Sequence, residues 1–122
     1  MTLIEAINYI DVLKPNNYSQ TEKVRWLSRL DGRVKEEIID THESGEVSFS
    51  EYTDDTPLDT KLLIPHPYDE VYAFWLEAQM DYANREYAGY NNSMAMFNTS
   101  YDAYKNYYNR NHMPKGQCFK FF

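Results

Sequence analysis

Apolar positions recur at helical spacing through most of the chain. Leu3, Ile7 and Ile10 form the first stripe. Thr2 and Glu5 precede it as a capping box, in which a hydroxyl and a carboxylate satisfy free N–H groups of the first turn. Lys14-Pro15-Asn16-Asn17 ends this helix. Ser19 and Glu22 repeat the cap signature, and Val24, Leu27, Val34 and Ile38 follow on one face with Trp26 and Leu30 beside it. The pattern predicts a second helix over about residues 20–41. Gly32 weakens it by roughly 1 kcal/mol relative to alanine, so a kink or a split into two helices is an alternative.

The helical period stops between about residues 42 and 66. Val47-Ser48-Phe49-Ser50 and Lys61-Leu62-Leu63-Ile64 are the strand-like pieces, separated by the turn sequence Thr53-Asp54-Asp55-Thr56-Pro57. The expectation is a long loop, with a short β-hairpin as a way of pinning it. Connections of this length inside a small domain are uncommon and often functional.

Pro65-His66-Pro67 closes the loop, and Asp69 and Glu70 suit the positive end of a helix dipole. Val71, Trp75, Ala78 and Tyr82 then recur at spacings of four, three and four. Gly89 followed by Asn91-Asn92 reads as a C-cap and a new N-cap. Met94, Phe97, Tyr101, Tyr104 and Tyr108 make an unusually regular stripe. Two antiparallel helices joined near Tyr90 are predicted, one continuous helix being the alternative. Pro114 and Gly116 end the pattern. The fold class is all-α: a small bundle of about four helices, with a long loop between the second and third and an extended C-terminal tail. Residues 1–114 form one domain with the loop 43–66 inserted, and residues 115–122 form the tail.

A length of 122 residues suits a single domain. The 12 Tyr, 6 Phe and 2 Trp, against only eight leucines, make aromatic rings the main core material. Trp75, Phe97, Tyr101, Tyr104 and Tyr108 fall on stripes, whereas Phe49, Tyr52, Phe119, Phe121 and Phe122 fall outside them, in the loop and tail. Rings outside a core are what interaction surfaces use. Cys118 is the single cysteine, so no intrachain disulfide or cysteine-rich zinc site can form. No signal peptide or membrane-spanning stretch is expected, and the chain is expected to be made in a cytoplasm.

The net charge of −7 argues against general nucleic-acid binding. It is unevenly placed. Residues 36–59 hold nine acidic groups and no Lys or Arg; residues 14–35 hold six basic and two acidic groups; from residue 106 onward there are three basic groups and no acidic one. Solvated faces explain many such runs. The sharper reading is a molecule with opposite faces, which packs head-to-tail with copies of itself and gives a ring if the rotation closes.

No catalytic constellation emerges. His42, His66 and His112 have no accompanying Ser or Cys signature, and the four glycines form no phosphate loop. The best metal case pairs Glu36 and Asp40 with Glu77 and Asp81 around Mg²⁺, as in an all-α phosphohydrolase. The expectation is a protein that is not an enzyme, with no catalytic residues, no metal site and no cofactor.

The segments Leu62-Leu63-Ile64-Pro65-His66-Pro67-Tyr68-Asp69-Glu70-Val71-Tyr72, Glu77-Ala78-Gln79-Met80-Asp81-Tyr82-Ala83-Asn84, Tyr90-Asn91-Asn92-Ser93-Met94-Ala95-Met96-Phe97-Asn98 and Tyr107-Tyr108-Asn109-Arg110-Asn111-His112-Met113-Pro114 carry a resemblance. The chain resembles the head–tail connector (head-completion, adaptor) proteins of tailed phages and prophages of Gram-positive bacteria, over about residues 2–114. The resemblance implies a small helical bundle, without catalytic residues, that assembles as a ring on the phage portal protein and docks a stopper or tail-completion protein. The ring would extend the DNA channel at the head–tail junction of the virion, after assembly in the host cytoplasm, and an acidic wall would let DNA pass without sequence-specific binding. By the same resemblance the loop and tail make the contacts, through Glu46, Phe49, Tyr52, Asp54, Asp55, Asp59, Lys115, Phe119, Lys120, Phe121 and Phe122.

Overall fold

The structure, a computed structural model, describes residues 1–43 and 49–114. Helix α1 spans Leu3–Leu13 and carries the expected capping box on Thr2 and Glu5. The other free N–H groups of its first turn are taken by the long loop. Leu3 N donates to Thr60 O and Ile4 N to Leu58 O, each at 3.0 Å. Ordered loop backbone thus stands where water would otherwise satisfy the helix end.

Helix α2 spans Gln20–Val34, with Ser19 as its cap, and continues into a π-helical turn at Lys35–Ile39. It passes Gly32 without a break, so the irregularity lies one turn later than the glycine. The π-turn keeps Ile38 and Ile39 buried, and Arg33 and Glu37 pair along its outer side. Arg33 also lies over the ring of Tyr101 at 4.9 Å, and Tyr101 donates to Glu37 at 3.1 Å, tying this end of α2 to the last helix.

Helices α3 (Val71–Ala83) and α4 (Tyr87–Asn111) are antiparallel and pack most extensively on each other. A short 3₁₀ turn at Tyr68–Glu70 leads into α3. The break between α3 and α4 falls at residues 84–86, not near Tyr90. Glu86 N donates to Asp81 O, Asn84 N to Met80 O, and Arg85 takes φ 61°. That left-handed position is normally glycine. Gly89 instead lies inside α4, where a Cβ would come within 3.2 Å of the Asp81 carboxylate. The glycine serves a close helix approach, not a cap.

One core joins the four helices of the described residues, with Leu3, Ile10, Leu27, Leu30, Tyr72, Leu76, Met80 and Phe97 fully enclosed. Phe97, Tyr101, Tyr104 and Tyr108 are buried as their stripe predicts. Of the predicted α3 stripe, Val71 and Ala78 are buried and Trp75 is half-buried, but Tyr82 is 60 % exposed; Tyr72, Leu76 and Met80 complete the inner face of α3. Among the described residues the loop forms no hairpin. Lys61 makes an isolated antiparallel bridge to Thr2, and a two-residue pairing joins His42–Glu43 (β1) to Met113–Pro114 (β2). The expected strand at residues 47–50 lies partly outside the described residues. No described helix is long and apolar enough to cross a membrane.

Candidate interaction surface

Asp31 sits at a core position of α2, between Leu27 and Val34 on the apolar face, and has no exposed area. A buried carboxylate needs donors to replace water. Three converge on it. Tyr52 Oη and Leu63 N donate to Oδ2 at 2.6 and 3.0 Å, and Tyr72 Oη donates to Oδ1 at 2.6 Å. Tyr72 Oη in turn accepts from Ile64 N at 2.8 Å. Burial pushes the Asp31 carboxyl above its ordinary range, and the three hydrogen bonds oppose the shift. Burial also drives the Tyr52 and Tyr72 phenols upward, with the Asp31 charge adding to it, so both remain protonated donors.

The network has a geometric consequence. It holds the loop on α2, and Tyr52 N donates to Ser28 Oγ at 3.0 Å on the same seam. Tyr52, expected in an interface, is therefore a buried clamp. Phe49 packs edge-on against Tyr52 and is half-buried. Between loop and helix lies an open groove of about 540 Å³. Val24, Gly32, Phe49 and Tyr52 form its apolar floor; Arg25 and Arg29 line the helix wall, Glu51 and Asp54 the loop wall.

A second surface sits at one end of the bundle. The buried Asp81 carboxylate pairs with Lys14 and accepts from Ser93, and Tyr18 Oη donates to Asn84 Oδ1. These contacts bring the end of α1 beside the α3–α4 turn. Val12 and Leu13 there are 80 % and 54 % exposed, and Tyr82 and Tyr87 are 60 % and 55 % exposed with their ring centroids 6.3 Å apart. Tyr90 also packs on Tyr82, its ring tilted by 55° with centroids 5.4 Å apart. Tyr82, Tyr87 and Tyr90 thus form a cluster of touching rings, two of them exposed, and clustered exposed rings mark a binding surface more often than scattered ones do. The pattern reading placed Tyr82 in the core and missed this knob; the signal available was Val12-Leu13 beyond the end of the α1 stripe.

The remaining expected site residues divide. Asp54, Asp55 and Asp59 are exposed on the loop. Glu46, Lys115, Phe119, Lys120, Phe121 and Phe122 lie outside the described residues. The four carboxylates of the Mg²⁺ case do not converge. Glu36 is exposed, Asp40 pairs with Lys35, and Glu77 and Asp81 share the Ser93 hydroxyl with Lys14 as counter-charge. No described group of three or more His, Cys, Asp or Glu side chains could hold a metal ion. His66 is exposed, 3.8 Å from Asp69, and His112 stacks on Tyr108 with centroids 3.8 Å apart. The expected separation of charge into opposite faces is also modified, because the acidic loop wall lies directly across the groove from the basic face of α2.

Comparison with models of known protein families, with curated proteins and with solved structures gives no match.

Proposed function

We propose that this chain is a non-enzymatic structural subunit of a tailed-phage particle, a head–tail connector. In this reading it assembles as a head-to-tail ring on the portal protein, docks a stopper or tail-completion protein, and resides at the head–tail junction of the virion. DNA passes through the ring without sequence-specific contacts. The observation that carries the reading is the pairing of an exposed aromatic knob with a charged, apolar-floored groove on one well-packed bundle. Two different patches on one molecule are what a heterologous, ring-forming contact requires. The resemblance described above supplies the viral setting.

The test is mass in solution, by sedimentation and native mass spectrometry, alone and with purified portal rings. The expected result is a stable complex in which the chain occupies the ring in multiple copies. A chain that stays monomeric and never binds portal rings refutes the proposal. The alternative, an all-α Mg²⁺-dependent phosphohydrolase, needs Glu36, Asp40, Glu77 and Asp81 at one point. Titration calorimetry with Mg²⁺ addresses it directly, and binding that Glu77→Ala abolishes would reinstate it.

A further inference from the structure

We infer that the knob of one copy seats in the groove of a second copy of this chain. The inference rests on the connector reading and deepens it by naming the contact between neighbouring subunits.

Three features select a second copy as the occupant. The first is apolar fit. The knob offers the touching rings of Tyr82 and Tyr87, with exposed Val12 and Leu13 at the nearby end of α1, while the groove floor offers Val24, Phe49 and Tyr52. The space over Gly32 is open, since a Cβ placed there would make only an ordinary contact with Phe49, at 3.7 Å. The second is charge. Arg85 and Glu86 are adjacent and exposed at the α3–α4 turn; neither makes a salt bridge within 4 Å among the described residues, and Glu86 lies near enough to Lys14 to favour its charged form. The groove has one wall of each sign. Arg85 therefore meets Glu51 and Asp54 when Glu86 meets Arg29. The third is independence. Knob and groove share no residue, so one subunit can use both at once, and the contact can propagate.

A groove of about 540 Å³ has the size of a cleft for a small ligand, large enough for the two rings of the knob but not for a whole helix. Stable interfaces bury roughly 800 Å² per partner, so this contact alone is weak and gains strength where copies are held side by side. Weak contacts between defined positions are caught by covalent trapping.

The experiment uses full-length protein in which Cys118→Ser removes the native thiol. One variant adds Tyr87→Cys on the knob, another Thr21→Cys at the rim of the groove, and a control adds Asn98→Cys on the exposed side of α4. All three positions are exposed, so the fold is kept. Mild oxidation of the mixed knob and groove variants should give a cross-linked dimer that neither gives alone, and a single chain carrying both cysteines should give a ladder of oligomers. Arg85→Glu should lower the mixed yield by about two- to fivefold, the range of an exposed ion pair, and Glu51→Lys in the groove partner should restore it. A mixed yield no higher than the Asn98→Cys control overturns the inference, and so does knob-to-knob linking by Tyr87→Cys alone. The same reactions with portal rings present separate the two proposals. Portal binding without the link overturns only the knob-and-groove contact; the link without portal binding overturns only the connector.

Discussion

Replacing Tyr72 by phenylalanine removes one oxygen and disturbs two partners. Tyr72 has no exposed area, and its hydroxyl both donates to Asp31 Oδ1 and accepts from Ile64 N. Without it, the Ile64 N–H is a buried donor with no partner, at about 1–3 kcal/mol, and Asp31 loses a charge-assisted hydrogen bond of about 1.5–3 kcal/mol. The expected loss is about 3–5 kcal/mol. A chain of this length should have about 6–18 kcal/mol in all, so the variant still folds. With an unfolding entropy near 2.1 cal/mol/K per residue, each kcal/mol corresponds to about 4 °C in Tm, and Tyr72→Phe should melt about 12–20 °C below the parent.

Tyr52→Phe is the internal control. The Tyr52 hydroxyl donates to Asp31 Oδ2, which still accepts from Leu63 N, and its removal strands no backbone group. It should cost only the single bond, about 1.5–3 kcal/mol. Urea denaturation of the three proteins, monitored by far-ultraviolet circular dichroism, measures both losses. If Tyr72→Phe costs no more than Tyr52→Phe, or lowers Tm by less than about 4 °C, the Asp31 network is not what clamps the loop.

Other outcomes follow from named contacts. Gly32→Ala should stabilise by about 0.5–1 kcal/mol, because its new methyl meets only ordinary contact, whereas Gly89→Ala should lose that gain and destabilise, because Lys14 and Ser93 hold the Asp81 carboxylate against the added Cβ; paired thermal melts read the sign. Lys14→Met should cost about 2 kcal/mol by leaving the Asp81 carboxylate buried without its cation, and adding Asp81→Asn should recover part of the loss in the same melts. Asp31 binds its proton more tightly in the fold than in the unfolded chain, so its contribution favours the fold at acid pH and is withdrawn as pH rises from 3.8 through the raised native value. Urea midpoints of the parent and Asp31→Asn across the acid range should therefore show the parent's relative stability falling as pH rises, and a rising difference would refute the assignment.

The elements of this fold were legible to unequal degrees, for physical reasons. The caps of α1 and α2 are local: Thr2 and Ser19 meet donors three residues away, and short-range spacing suffices to find them. The α3–α4 turn was misplaced because Arg85 occupies a left-handed position that usually advertises itself as glycine, while Gly89 advertises a turn it does not make. Asp31 carried a readable sign, an acid in register with Leu27 and Val34, but its partners lie 21 to 41 residues away and have no local pattern. Tyr52 was assigned to an interface because a loop has no period from which burial can be read.

The charge pattern shows the same limit most clearly. Along the chain, a basic segment is followed by an acidic one, which suggests two opposed faces. In the fold, much of that separation is folded back on itself. Glu37 pairs with Arg33 and Asp40 with Lys35 at the end of α2, and the clamp at Asp31 sets Glu51 and Asp54 across the groove from Arg25 and Arg29. A long-range dipole would fade beyond about 8–10 Å at physiological salt. A groove with one wall of each sign acts at contact distance, where screening is weaker and register matters more than net charge. An assembly built on it should therefore be more sensitive to reversing Arg85 than to moderate salt, which is the opposite of what two uniformly charged faces would give.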